Sequence, residues 1–593
     1  PRSTFRYWAR RRDDMDVSPA VVHFFESPEG LVFLHRLVVA ALFVMTLRSP
    51  DGVRVVCEFL ELSGLGDLVA SSFGSVRAMA NRMQVEVVQF AEEQRASLAA
   101  QMAPKKITVC QDETFHPEIC LVAVEPVSNF ILLEAYADHR DADTWTIAMK
   151  GLVRWTPWVA PGESRASTAV RLAIAFGSGM TEPSHAPLGW PAARVDAQAR
   201  GALADLPVDV VQCTSDEAKA LLAHAKNAFD AHHSPDVFHV QHEVSRAVGA
   251  PLGRRIERAK LDFEAAVLVT EQLKADHVAY KAAKHGPGHP PDFAGRIAAA
   301  QQVDDAARLR FEGASKDRDE ERDAVRGISA AYHPYRLSDG ARQSVDDVRI
   351  LLDTHFDIIQ AIADRADLPE RCHKGIAKAR RVSASMVDTI RFAHTEINDR
   401  LATLQLPSGV HDDVRDRLVP GLYLQRVANR AATSAQRSLL SRTADELLAP
   451  LRVSGHALQA LDDARRQAVA AIAQQCADIF QRSTSCVEGR NGQLSLYHHG
   501  LHRFSASKLA ALTAIHNYYV TRDDGTSAAE RFFGCAPDDL FETLIARMPA
   551  PARPAQKRAV RRSTASVLST PTPPRPAPKR AVRSAANGKD RAA

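Results

Sequence analysis

The spacing of apolar residues divides the chain into regions that predict different structures. Residues 1–103 follow a helical period, which predicts a helical N-terminal region. From residue 104 to about 152, short apolar runs are separated by turn residues such as Pro126 and Asn129, which predicts an antiparallel meander. The apolar runs occupy residues 106–110, 119–124 and 130–133, and a helix is expected from about 141 to 152.

A second region with strand-like and helix-like segments follows at residues 207–250. Residues 208–213 predict a strand, residues 217–229 a helix, and residues 236–241 another strand with a helix after it. Together with the meander, the order is three strands, helix, strand, helix, strand and helix. This order predicts an α/β core, a mixed sheet with flanking helices, whose first part spans residues 104–250.

The longest region, residues 251–484, is patterned almost throughout as helix and is rich in Ala, Arg, Asp and Glu. Residues 256–284 and 297–331 predict the two arms of a coiled-coil hairpin that turns through residues 286–291. Residues 485–548 return to the pattern of a compact unit. We therefore predict that a large all-α insertion separates two parts of one α/β core.

Two segments predict no regular structure. Residues 153–203 are dominated by Gly, Pro, Ser and Ala without a persistent period, which indicates an irregular insertion or a stretch that is out of frame. Residues 549–593 carry eleven Lys or Arg and one acid but little apolar mass, which predicts a disordered basic tail. Because the tail contributes +10 to a net charge of +4, the rest of the chain is near −6.

Composition favours a cytoplasmic protein. The eight cysteines form no CxxC pair and show no zinc spacing, which is typical of reduced, buried thiols. No secretory signal is visible. Residues 31–47 are apolar but short for a bilayer and contain His35 and Arg36, so we expect a buried helix and no membrane partner.

Three acids occupy positions typical of a divalent-metal site. Asp112 and Asp216 each follow an apolar β-like run, and Glu488 opens a polar segment after the long helical region. Two divalent ions can stabilise the attacking and leaving oxygens of phosphodiester chemistry, and Mg²⁺ prefers oxygen ligands such as carboxylates. The pattern therefore predicts a nuclease-type site that holds Mg²⁺ or Mn²⁺, with two ions.

Each acid also has a local structural interpretation. Asp112 lies among polar neighbours and is compatible with a turn, and Glu113 or Glu118 could replace it as a ligand. Asp216 precedes a predicted helix and is suited to capping it. Glu488 is compatible with a surface acid paired with Arg490.

Several segments resemble DDE-type insertion-sequence transposases. The resemblance covers roughly residues 50–150 and 205–548 and is carried by the segments 107–116, 210–219, 234–242, 487–491 and 516–534. It implies an RNase H-like catalytic core that is interrupted before its glutamate. It also implies that Asp112, Asp216 and Glu488 are the catalytic metal ligands. Some of these enzymes place a lysine seven residues after the glutamate, where this chain has Ser495.

The resemblance implies metal-dependent strand cleavage and strand transfer on double-stranded DNA by a homo-oligomer associated with the nucleoid. Contacts to DNA phosphates are expected from the basic residues of the polar segment, Arg490, His498, His499 and Arg503, with a packing role as the alternative for each. We expect His116, His239 and His242 to be hydrogen-bonded structural histidines.

Residues 53–62, a break at 64–66 and residues 75–82 also have the pattern of a helix-turn-helix, so the N-terminal region is a possible DNA-binding unit. Two further functions remain open. One is a catalytically decayed, transposase-derived protein that acts as a DNA-binding or coiled-coil interaction protein. The other is a structural helical scaffold.

Overall fold

The computed structural model describes residues 18–116, 118–151, 201–286, 288–501 and 505–554. The irregular segment predicted for residues 153–203 lies outside the described residues, apart from its last three positions. The predicted basic tail lies outside them from residue 555 onward.

The N-terminal region is helical, as predicted. Its helices are α1 (Pro19–Glu26), α2 (Pro28–Phe43, extended by a π-helical turn at Val44–Arg48), α3 (Val53–Leu62) and α4 (Phe73–Gln101). Among the described residues, Pro28–Arg48 is the one helical stretch long and apolar enough to cross a membrane, and half of its most apolar window is buried. Leu34, Val38 and Leu42 are buried in the core, as expected for a core helix.

Five strands form one mixed sheet. They are β1 (Lys105–His116), β2 (Glu118–Glu125), β3 (Phe130–Ala137), β4 (Val208–Ser215) and β5 (His232–Pro235). The spatial order is β3-β2-β1-β4-β5, in which β1, β2 and β3 pair antiparallel while β4 lies parallel to β1 and β5 parallel to β4. Helices α5 (Ala142–Lys150), α6 (Lys219–Phe229) and α7 (Val237–Val244) follow β3, β4 and β5.

The prediction of a strand at residues 236–241 is wrong. The strand is the preceding segment, His232–Pro235, and α7 begins directly after Asp236. The side chain of Asp236 accepts a hydrogen bond from the Phe238 amide, which caps the helix start. Val237, Val240 and Val244 repeat at helical rather than alternating spacing, and all three are buried in the core of the insertion.

The described part of the insertion is mainly helical and has its own hydrophobic core. Its helices are α8 (Ala250–Ala282), α9 (Phe293–Ala331), α10 (Val345–Arg365), α11 (Glu370–Arg381), α12 (Ser383–Ala402), α13 (Ser408–Asp413), α14 (Val419–Asn429), α15 (Ser434–Leu448) and α16 (Asp463–Asp478). The arms α8 and α9 pack along each other, with the rings of Phe263 and Phe311 stacked at 6.2 Å. An arm of 33 residues extends about 50 Å.

After the insertion the chain returns to the sheet in four helices. They are α17 (Ser485–Leu501), α18 (Ala506–Tyr518), α19 (Ala528–Phe533) and α20 (Leu540–Arg547). One face of the sheet shares a single core with the N-terminal helices and α18–α20. On the other face, Cys110 of β1 packs in a smaller cluster with Val487 and Leu494 of α17.

This shared core determines the place of the predicted helix-turn-helix. Helices α3 and α4 form where the pattern placed them, with a 3-10 turn at Leu65–Asp67 between them. However, α4 continues for 29 residues and buries Met83, Val87 and Phe90 in the core that it shares with the sheet. The N-terminal helices are therefore part of the body of the sheet region.

Residues 479–484 bring the chain from the insertion across the sheet to α17. The hydroxyl of Thr108 donates to the carbonyl of Ile479 at 3.3 Å, and the amide of Gln212 donates to the carbonyl of Gln481 at 2.8 Å. Both side chains are buried and belong to β1 and β4. Because buried carbonyls need donors, these polar side chains fix the path of the returning segment.

A buried ion pair between Arg490 and Glu134 then holds α17 against β3. The guanidinium of Arg490 donates two hydrogen bonds to the carboxylate of Glu134 in β3, at 2.7 and 2.6 Å. The exposed fractions of the two side chains are 7% and 0%. Thr513 of α18 donates to the same carboxylate at 2.5 Å, so three elements meet at this pair.

We predict that Arg490→Ala destabilises the protein by about 3–5 kcal/mol, because it leaves the Glu134 charge buried without its partner. Denaturant unfolding monitored by circular dichroism measures the change. Arg308→Ala, which breaks an exposed ion pair with Asp305, should change stability little.

The double replacement Arg490→Met with Glu134→Leu distinguishes the effect of an unpaired buried charge from the effect of lost side-chain volume, because it removes both charges and retains apolar side chains of similar size. It should recover most of the loss. An Arg490→Ala variant as stable as Arg308→Ala would show that the pair does not hold α17 in place.

Candidate metal centre

Asp112 lies inside β1, at the point where the strand loses its parallel neighbour. The pairing of β1 with β4 ends at Cys110 opposite Thr214, while the pairing with β2 continues through Asp112 opposite Val122. Side chains alternate along a strand, so Asp112 points to the same face as Cys110, the face that α17 covers. The predicted strand end was therefore placed too early, although the acid still lies where β4 stops.

Glu488 lies in the first turn of α17, on the exposed surface of the helix start. Its amide donates to the carbonyl of Thr484 at 3.0 Å, which continues the anchored segment into the helix. Asn491, three residues later on the same side of the helix, lies with its side-chain amide 3.5 Å from Oδ2 of Asp112. The start of α17 thus faces the open edge of β1.

The structure brings Asp112 and Glu488 together with a third residue, His239 of α7. Ligand atoms of these three side chains all lie within 4.8 Å of one another, close enough to hold one metal ion. They come from three separate elements, β1, α7 and α17, that only the folded chain brings together.

Asp216 lies next to this cluster without belonging to it. It follows the last residue of β4, and its carboxylate accepts a hydrogen bond from the amide of Ala218 at 3.2 Å. That bond closes a turn before α6, but the N-cap position of α6 is Ala218 and no side chain caps the helix, so the expected capping role of Asp216 is wrong. The charge of Asp216 nevertheless acts on Asp112 across the end of the adjacent strand.

The pKa of Asp112 is raised from 3.8 to about 7. Burial is the largest cause, and the neighbouring charges of Glu488 and Asp216 add to it, while the amide of Glu113 acts in the opposite direction. A carboxylate in this position retains its proton near neutral pH unless positive charge is supplied. A divalent cation among the three acids would supply that charge.

The two alternatives to Asp112 lie elsewhere. Glu113 points to the opposite face of β1, where it accepts a hydrogen bond from Nε1 of Trp145 at 3.1 Å and lies 3.4 Å from Arg140. Glu118 begins β2 opposite His116, at the outer end of the hairpin. Neither belongs to the ligand cluster.

The residues of α17 that were expected to contact DNA phosphates differ in their burial. Arg490 is bound to Glu134 inside the protein, which is the packing role given as the alternative to a phosphate contact. His498 is also buried, whereas His499 is exposed and keeps the possibility of a phosphate contact. Arg503 and the side chain of His116 lie outside the described residues.

His239 is the site residue that sequence reasoning missed. The residue was assigned to a strand and expected to be hydrogen-bonded, but it lies on α7, and its Nε2 has no hydrogen-bond partner among the described residues. The helical spacing of Val237, Val240 and Val244 was the signal that could have placed it correctly. His242, one turn later, is exposed and stacks on Phe238 at 6.1 Å.

The model of a family of unknown function (DUF6399) matches residues 414–560, a range that includes Glu488 and Arg490 but neither aspartate. No curated protein and no solved structure matches the chain.

The raised pKa of Asp112 gives a prediction for the metal-free protein. Between pH 3.8 and about 7 the folded state retains a proton on Asp112 that the unfolded chain releases. The free energy of unfolding therefore falls as the pH rises through this range, and it is lowest above about pH 7. At about pH 8, Asp112→Asn should therefore unfold at a higher temperature than the wild type, by a few degrees. Below about pH 4 the difference should vanish.

Differential scanning calorimetry measures this effect, with Asp319→Asn as the matched control for an exposed helical aspartate. Added Mn²⁺ should raise the unfolding temperature of the wild type but not that of Asp112→Asn. A variant less stable than the wild type at every pH, with an unchanged response to Mn²⁺, would contradict the site.

Proposed function

We propose that the chain is a metal-dependent DNA transposase with an RNase H-like catalytic core. The observation that carries the proposal is the approach of Glu488 to Asp112 within one group of possible metal ligands, with Asp216 near enough for its charge to act on Asp112. Glu488 follows the helical insertion in the chain, which is the arrangement expected of this class of enzyme. The nearby Asn491 and Asp112 are 379 positions apart in the chain.

The order of elements supports the RNase H-like assignment. After the N-terminal helices come three strands, a helix, a strand, a helix, a strand and a helix, which is the order expected for that fold. The mixed pairing, with an antiparallel meander joined to two parallel strands, brings the middle of β1 beside the end of β4. Asp112 in β1 and Asp216 directly after β4 therefore follow neighbouring paired positions, Cys110 and Thr214.

The donor set fits divalent cations of the Mg²⁺ or Mn²⁺ type, because the carboxylates of Asp112 and Glu488 lie together and the charge of Asp216 acts on Asp112. Asp112, Asp216 and Glu488 would hold such ions through their carboxylate oxygens. Such ions, when bound, activate water and stabilise the attacking and leaving oxygens of an in-line displacement.

The protein itself supplies rigidity and orientation. Asp112 is held in a paired strand, and Glu488 is held by a helix anchored at its start and at Arg490. Water bound at this site would cut the element end, and the freed 3′ hydroxyl would then attack target DNA at the same carboxylates. No covalent intermediate with the protein is required.

The proposal also assigns partners. Double-stranded DNA would lie across the part of β1 that carries Asp112, and the exposed His499 lies on the same helix as Glu488. Arms α8 and α9, which extend about 50 Å, are long enough to contact a second copy of the chain on the same DNA. A protein with these partners would be associated with the nucleoid.

The test is cleavage of a DNA fragment that carries the coding region with both genomic flanks, in the presence of Mg²⁺ or Mn²⁺. Replacing one ligand removes several kcal/mol of transition-state stabilisation, so Glu488→Gln, Asp112→Asn and Asp216→Asn should each lower the rate at least about a hundredfold. Sequencing gel analysis of the products measures the cut and joined ends.

Glu446→Gln, an exposed glutamate on α15, is the matched control and should retain the wild-type rate. If the folded protein binds the fragment but neither cuts nor joins it with any divalent ion, the catalytic proposal fails. The decayed DNA-binding protein is then the better description.

A further inference from the structure

His239 reaches the acidic cluster from an element that the proposed triad does not use. It lies on α7, three residues after the capping residue Asp236, and its ring contributes to the group of ligand atoms within 4.8 Å of one another. Its side chain is 37% exposed, so the ring is partly accessible to solvent.

We propose that His239 is a metal ligand and that the ion on the Glu488 side of the site is bound by two carboxylates and one imidazole nitrogen. This inference rests on the proposed metal-dependent function, because it assigns a ligand within the same site. It makes the site asymmetric, since the ion between Asp112 and Asp216 would have oxygen ligands only.

A buried acid behind the ring supports a ligand role. Metal-binding histidines usually present their second ring nitrogen to a carboxylate or carbonyl, which fixes the orientation of the ring. Oδ2 of Asp236 lies 3.8 Å from Nε2 of His239, and the Asp236 side chain is fully buried. At 3.8 Å this contact is not a hydrogen bond, so the carboxylate is near enough to orient the ring without occupying Nε2.

Asp236 is itself held in position by both helices of the site. One carboxylate oxygen accepts a hydrogen bond from the amide of Phe238 at 2.8 Å, and the other accepts one from the hydroxyl of Thr484 at 2.5 Å. The amide of Val237 also donates to the carbonyl of Arg482 at 2.9 Å. The starts of α7 and α17 are therefore connected, so His239 and Glu488 are positioned together.

The proposal has a consequence for the choice of cation. Imidazole suits transition metals, whereas Mg²⁺ prefers oxygen ligands and retains several waters. The protein should therefore bind Mn²⁺ more tightly than Mg²⁺, and the difference should depend on His239. An imidazolium that only balances the charge of the acids would not produce this preference.

The test uses tag-free, metal-free protein titrated with Mn²⁺ alone and with Mg²⁺ alone, in the wild type and in His239→Gln. The variant should lose Mn²⁺ affinity by at least the ~10–100-fold that loss of an outer partner costs. Its Mg²⁺ affinity should change much less. His242→Gln, on the same helix but outside the cluster, should behave as the wild type.

Pulsed electron paramagnetic resonance of bound Mn²⁺ gives a readout that a structural role would not change. The wild type and His242→Gln should show coupling to an imidazole nitrogen, and His239→Gln should lose it. Mn²⁺ bound without nitrogen coupling in the wild type would overturn the proposal for His239 while leaving the carboxylate site intact. Nitrogen coupling in a protein that cannot cut DNA would instead retain His239 as a ligand and reject the transposase function.

Discussion

The buried ion pair between Arg490 and Glu134 is the constraint on which the candidate site depends. It attaches α17 to β3 through two short hydrogen bonds between residues that are 356 positions apart in the chain. Residues on the same helix, Glu488 and Asn491, are then directed toward the open edge of β1. Burying a charge without its partner costs several kcal/mol of stability, so the ion pair favours one position of the helix on the sheet.

After the insertion, the chain must return to the position of α17 on the sheet without distorting the strands. Buried polar side chains of β1 and β4 do this by donating to the carbonyls of residues 479–484. The bond from Thr484 to Asp236 adds a connection to α7 at the same place. The polar interior of this region thus replaces apolar packing with directional bonds, which determine position more closely than contact area alone.

Much of the architecture could be predicted from the spacing of apolar residues. The meander, the strand at 208–215 and the helical insertion follow from local periodicity, and they are present in the structure. Residues 236–241 were misassigned because a short apolar run is compatible with strand or helix until its spacing is compared with both. That error concealed the position of His239, which lies on α7 beside Asp112 and Glu488.

Other features could not be predicted because they depend on distant pairs. Nothing in the polar segment indicates that Arg490 turns inward while Glu488 stays outside, because the partner Glu134 lies in a different part of the chain. The packing of α4 on the same core as the sheet is likewise invisible to local pattern. The acids themselves could be selected from the sequence, because Asp112 and Asp216 follow apolar runs and Glu488 opens a polar segment.

The measurement that tests the account most directly is anomalous diffraction from crystals of the protein grown with Mn²⁺. The account predicts an anomalous peak at the edge of the sheet, within bonding distance of the carboxylates of Asp112 and Glu488. Ordered crystals in Mn²⁺ that show no such peak, with Glu488 turned away from Asp112, would contradict it.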